Sequence, residues 1–180
     1  MTTAEVITEN GVIQSFSVPE ELFGYTVHAL LVPPYPMETV LVLGYGEGNV
    51  TALMEKIWPV GIDIVGVDLR EPKFGRMPDA FIKGDAEEFV KNSERVYDFV
   101  CIDLYQGKRI PAFVFSESFV DNVARITGKL LAINLTFYGW NDVKLYGKHF
   151  YPDACKTVNN DRCMFMVPKK LFEEREKITQ

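Results

Sequence analysis

Three glycines at alternate positions, Gly44, Gly46 and Gly48, lie directly after the apolar run TVLVL and directly before a helix-forming segment. Glycine lacks a Cβ, so the backbone can bend sharply there and a ligand can lie against it, while N–H groups at the start of the helix point at that ligand. The stretch from Thr39 to Thr51 therefore reads as a nucleotide-binding turn. A dinucleotide fingerprint places its third glycine one position later, where this chain has Asn49, so the match to pyrophosphate binding is imperfect. Three carboxylates stand downstream at the ends of apolar runs. Asp68 closes DIVGVD, where an acid accepts hydrogen bonds from the two hydroxyls of a ribose or caps the next turn. Asp85 in KGDAEEFV precedes Glu88 by three positions, a capping-box spacing. Asp103 follows YDFVCI at the end of a strand, where open α/β sheets bind ligands.

The elements that must position these residues alternate along the chain. ETVLVLG reads as a buried strand, Asn49 to Ile57 as a helix, DIVGVD as a second strand, AFIKG as a third, and Asp85 to Asn92 as a helix. YDFVCIDL, the helix from Ser116 to Thr127, and the strand GKLLAINLTF continue the pattern. Near-continuous apolar strands imply a doubly wound, mostly parallel α/β sheet covered on both faces. Runs around Ala154 to Val158 and Cys163 to Val167, separated by NNDR, predict a closing antiparallel hairpin, and the polar tail EEREKITQ a fraying helix. Ahead of the sheet, a short hairpin around Gly11 and a helix from Glu20 to Val32, stopped by Pro33-Pro34, form a cap-like extension. The expected division is an N-terminal extension over 1–36 and a ligand-binding domain over 37–180.

Composition narrows the partners. With 180 residues, a formal net charge of −6 and a pI near 5.0, the chain carries no general footprint for a phosphate backbone, so a small-molecule or protein substrate is expected. The N-terminus lacks a signal-peptide pattern and no segment reaches membrane-spanning length, so a cytoplasmic location is expected. Cys101, Cys155 and Cys163 form no C-x-x-C pair, and the spacing of His149 with two of them matches no common metal site, so reduced thiols and no metal are expected.

The G-x-G-x-G spacing after V-L-x-L-G resembles the first motif of class I S-adenosylmethionine-dependent transferases, whose cofactor carries no phosphate. That resemblance implies cofactor contacts from Gly44, Tyr45, Gly46 and Gly48, from Asp68 with Leu69, from Asp85 near the adenine with the backbone of Ala86, and from Asp103 facing the sulfonium. More narrowly, NGVIQ, TVLVLGYGEGNVT, YDFVCIDLYQGKRIP and ITGKLLAINL, in that order, resemble the spermidine synthase superfamily over about residues 10 to 167. It implies Gln14 at the cofactor and product site, Tyr25 in the substrate cleft, and a possible homodimer. The family's general base, an aspartate three residues after the position of Asp103, is Gln106 here, and an amide cannot accept a proton usefully near neutral pH. Methyl transfer from an already activated sulfonium survives that loss. Tyr105, Gln106, Asn134, Tyr138 and Trp140, at or beyond strand ends, are candidate acceptor-pocket residues. Three readings follow: methyl transfer from S-adenosylmethionine, aminopropyl transfer from its decarboxylated form, and a non-catalytic nucleoside-binding or partner protein.

Overall fold

Apolar runs covered on both faces become the centre of a sheet, and here they do so in sequence order. The computed structural model describes residues 6–9, 12–16, 27–59, 61–136, 138–158 and 161–173. Within it β3 (Thr39–Leu43), β4 (Asp63–Asp68), β5 (Ala80–Lys83), β6 (Tyr97–Ile102) and β7 (Thr127–Asn134) are mutually parallel. Before them, β1 (Val6–Glu9) and β2 (Val12–Phe16) form a separate antiparallel pair flanking Gly11, which itself lies outside the described residues. After them, β8 (Phe150–Val158) and β9 (Asp161–Pro168) form the antiparallel hairpin. The main sheet runs β5-β4-β3-β6-β7-β9-β8, so β9 is inserted between β7 and the edge strand β8.

Side chains alternate between two layers, as the two-residue period of a strand requires. Leu41, Leu43, Val65, Val67, Val100 and Ile102 pack on one face against α3 (Ala86–Asn92) and α4 (Glu117–Ile126), through Val90, Phe119, Val120, Val123 and Ile126. Val40, Val42, Ile64, Phe99 and Cys101 pack on the other against α2 (Asn49–Ile57), through Val50, Leu53 and Met54, with α1 (Val27–Leu30) beside it. Helices on both faces make the sheet doubly wound, as the sequence predicts.

Helix starts follow local chemistry. Ser116 caps α4 by accepting the N–H of Phe119, and Asp85 caps α3 by accepting those of Glu87 and Glu88. Gly48 precedes α2 with φ of 75° and no side-chain cap.

Several expectations are adjusted. Of the helix predicted over Glu20 to Val32, only 27–32 is described, and the helix occupies Val27–Leu30. The hairpin is longer than predicted, beginning at Phe150, with a register shift between Pro152 and Ala154. Asp161 and Arg162, read as part of the turn, belong to β9. Two 3₁₀ segments, Ala112–Phe115 and Trp140–Lys148, carry no periodicity that announced them. The tail beyond residue 173 lies outside the described residues. The three cysteines are free thiols, two buried and Cys155 exposed. Among the described residues no helix is long and apolar enough to cross a membrane, and no group of three or more His, Cys, Asp or Glu side chains is arranged to hold a metal.

Candidate functional site

From β3 the chain proceeds to β4 on one side, whereas β6 lies on the other. The carboxyl ends of β3 and β6 therefore flank the point where strand order reverses, the position at which open α/β sheets hold ligands. Here the two backbones touch. Asp103 N–H donates to Leu43 O at 2.8 Å, and a Cβ on Gly44 would lie 2.2 Å from Asp103 O. Gly44, Gly46 and Gly48 all have positive φ, at 84°, 56° and 75°. Such backbone favours glycine, so the turn is shaped by residues that keep its surface free of side chains.

Asp68, at the end of β4, faces this turn. Its Oδ2 accepts the Gly46 N–H at 2.9 Å and its Oδ1 the Arg70 N–H at 3.0 Å. A carboxylate has about four lone-pair positions, more than these two amides use. Leu69 beside it is 58% exposed, an apolar surface left open next to an acid. Asp85 is occupied as the cap of α3, and Ala86 is buried directly behind it. Tyr45 points away from the open turn: it is 4% exposed, its ring covers Gly66 and meets Phe81 edge-on, and burial pushes its phenol up to about 12. The Tyr45 hydroxyl donates to Arg76 O at 2.8 Å and lies 3.0 Å from Thr51 Oγ1. Its backbone is the part that borders the turn.

Asp103 anchors a second polar group. Asn134 Nδ2, from the end of β7, donates to Asp103 Oδ1 at 2.8 Å, while Asn134 Oδ1 accepts the Thr136 N–H and hydroxyl at 3.1 and 2.8 Å. Tyr105 donates to Thr136 O at 3.1 Å. Burial raises the Asp103 carboxyl above the ordinary aspartate value, with His28 and Asn134 opposing and Asp68 adding to the rise. His28, from α1, has its imidazole held below its usual basicity by burial, against the pull of Asp103 and Asp161. Burial likewise raises the Tyr105 phenol.

The remaining candidates disperse. Gln106 is exposed in a tight turn, bridged to Arg109 with its N–H on Arg109 O at 2.8 Å and Gly107 at φ of 64°. Tyr138 packs against Phe115, and its hydroxyl accepts the Ile110 N–H at 3.1 Å. For Gln14, in β2, and Trp140 only the backbone is described, and Tyr25 lies outside the described residues. Sequence reasoning missed Glu47, His28 and Thr136. Glu47 sits inside the glycine turn itself, yet its side chain is buried. A lone His in a short helix and a Thr after a strand carry no spacing rule to flag them.

No protein-family model and no curated protein matches the chain. Solved structures do. A spermidine synthase in complex with the transition-state analogue AdoDATO aligns with a TM-score of 0.61 at 15% identity, over 90% of this chain and 66% of that one. The ribosomal protein L11 methylase of Lactobacillus delbrueckii subsp. bulgaricus aligns with a TM-score of 0.58 at 10% identity, over 79% and 77%. The chain has the class I methyltransferase fold. PH0226 from Pyrococcus horikoshii OT3 shares it at 18% identity and a TM-score of 0.57, over 81% of this chain and 89% of that one. In the methyltransferase fold seen here, the parallel strands place Gly44, Asp68, Asp85 and Asp103 at the carboxyl ends of β3, β4, β5 and β6.

Asp103→Asn gives a test of that edge independent of any ligand. A carboxyl whose folded-state pKa is raised contributes stability that is full below the unfolded value of about 4 and is lost as pH rises through the folded value. At pH 7 the partly buried charge is a cost, and the amide still accepts from Asn134. The variant is therefore expected to melt above wild type at pH 7, a difference read by thermal unfolding of both proteins. The gap should close as pH approaches 4. Equal melting temperatures at both pH values would mean that Asp103 is well solvated.

Proposed function

We propose that this chain is an S-adenosylmethionine-binding transferase that moves a methyl group to a small acceptor. The observation that carries the reading is the juxtaposition at the switch point: a turn kept bare by Gly44, whose missing Cβ would strike Asp103 O, faced by the Asp68 carboxylate on Gly46 N–H. The glycine surface suits close backbone approach by a nucleoside, and Asp68 suits a ribose. Asp85 and Ala86 border the position an adenine would take, with Leu69 as an apolar neighbour. Asp103 supplies negative charge where a sulfonium would lie. When bound, the cofactor supplies an activated methyl group; the chain's own task is to orient the acceptor and exclude water. Tyr105 and Asn134, linked through Thr136, lie beside Asp103 on the expected acceptor side.

Support from the neighbours is of the same kind. A spermidine synthase among them is in complex with AdoDATO and PigF is in complex with SAH, both proteins of this fold. Aminopropyl transfer from the decarboxylated cofactor is the second reading, favoured by the likeness to spermidine synthases and opposed by the amide of Gln106.

The test is calorimetric titration with S-adenosylmethionine, its decarboxylated form and NAD under identical conditions. The methyltransferase reading expects the intact cofactor to bind best and NAD not at all. Preference for the decarboxylated form would move the assignment to aminopropyl transfer. Absence of binding to all three would leave a non-catalytic scaffold.

A further inference from the structure

A charged residue between two glycines of a turn ordinarily extends into solvent. Glu47 does the opposite: it is 3% exposed. Burying a carboxylate is costly unless its oxygens are satisfied, and these are. Oε2 accepts the N–H groups of Lys73, Phe74 and Gly75 at 3.0, 2.8 and 2.7 Å, and Oε1 lies 3.2 Å from the Lys73 nitrogen. Three successive amides converging on one anion form a nest, here filled from within the chain. The backbone repeats the contact, since Glu47 O accepts the Arg76 N–H at 3.2 Å and a Cβ on Gly75 would lie 1.7 Å from Glu47 O. Arg76 extends the attachment to α2, with Nη1 2.6 Å from Glu55 Oε2 and its carbonyl accepting from Tyr45.

The same connection is fastened at its other end. Asp68 bridges Gly46 N–H and Arg70 N–H, so the segment between β4 and β5 is tied to the glycine turn by two carboxylates, one from each side. Arg70, which holds Asp68 Oδ1, and the 73–76 segment that Glu47 holds belong to one short connection, and Gly46, which holds Asp68 Oδ2, adjoins Glu47 in the chain.

We infer that Glu47 is a positioning residue: by clasping the amides of residues 73–75 it fixes the connection after β4 against the glycine turn, and through it orients Asp68 toward the nucleoside. This rests on the transferase reading and deepens it. Glu47 itself touches no ligand in this scheme, so its removal should weaken whatever shares the nucleoside, whatever the rest of the molecule carries.

The experiment measures binding of S-adenosylhomocysteine and of 5′-methylthioadenosine to wild type, Glu47→Gln, Glu47→Asp and Asp68→Ala, together with hydrogen exchange at residues 73–75. Glu47→Gln places an amide NH₂ among three donors. It is expected to bind both ligands about tenfold more weakly, by the same factor, with faster exchange at those three amides. Glu47→Asp keeps the charge and should recover part of both. Added to Asp68→Ala, Glu47→Gln should cost little more, because its effect passes through Asp68. Wild-type affinity in the folded Gln variant, or a loss confined to S-adenosylhomocysteine, would overturn the inference, the second result because it would put Glu47 at the amino-acid end of the ligand. If Glu47→Gln does not fold, Glu47→Asp carries the same test: a smaller loss, equal for both ligands, supports the role, and unchanged affinity ends it. A wild type that binds neither ligand overturns the transferase reading itself, a result distinct from a variant that binds as the wild type does.

Discussion

Asp68→Ala is expected to weaken binding of S-adenosylmethionine and S-adenosylhomocysteine alike, by about 100-fold each. The two ligands differ in the charge at sulfur and share the ribose. Hydrogen bonds from hydroxyls to a carboxylate are charge-assisted, worth about 1.5–3 kcal/mol each, and two of them at the low end of that range account for a loss of that size. The structure adds a second route to the same result, because Asp68 also holds the N–H groups of Gly46 and Arg70 and its removal releases both sides of the turn. Asp68→Asn separates the routes: one amide oxygen still accepts from the backbone, so the variant should lie between wild type and alanine. Calorimetry on folded protein decides the matter, and an Asp68→Ala variant with unchanged affinity would remove this residue from the site. Asp103→Asn is expected to differ in kind, reducing affinity for the positively charged sulfonium by about tenfold while hardly changing that for the neutral thioether.

Gly44→Ala should be strongly destabilising. At φ of 84° an alanine sits in left-handed backbone, at about 1–2 kcal/mol. Its Cβ would fall 2.2 Å from Asp103 O and 2.7 Å from the Asp103 carbonyl carbon. These are backbone atoms directly after the buried strand β6 and cannot rotate away, so overpacking adds a further 1–3 kcal/mol, roughly. A total near 3–4 kcal/mol corresponds to a melting temperature lowered by about 10 °C in a domain of this size. Forcing β3 and β6 apart would also open the switch point, so the surviving folded protein should bind cofactor poorly. A variant melting within a degree or two of wild type would show that the two backbones can separate freely.

Much of this architecture is legible before any coordinates. The strands announce themselves because both faces are buried: VLVL, IVGV and FVCI contain no residue that solvent would prefer, and each ends on a glycine or an aspartate. Helix starts at Asp85 and Ser116 are readable because an N-cap is a local interaction between a side chain and amides two or three residues on. The 3₁₀ segment Trp140–Lys148 is not readable, since it exists to carry the chain from the end of β7 to the start of β8 and is shaped by what it crosses. In the site, the glycines and Asp103 follow from strand ends, which sequence places well. Glu47 does not. Its partners are main-chain amides in a different connection, and most residue types can donate such an N–H, so no pattern of side chains records the contact.

The position of β9 bears on how the sheet is assembled in time. Five parallel strands are complete once Asn134 is made, yet the open side of β7, with Leu131, Ala132 and Ile133 in the sheet interior, finds its partners Met166, Phe165 and Met164 only near the far end of the chain. A chain emerging from a ribosome therefore carries a bare, apolar strand edge throughout synthesis of the segment in between, the kind of template to which other nascent strands adhere. Since β8 and β9 pair with each other and are neighbours in sequence, they can form as a unit and dock together. Closure of the sheet is then a single late event, and the interval before it is the chain's period of greatest exposure to misassembly.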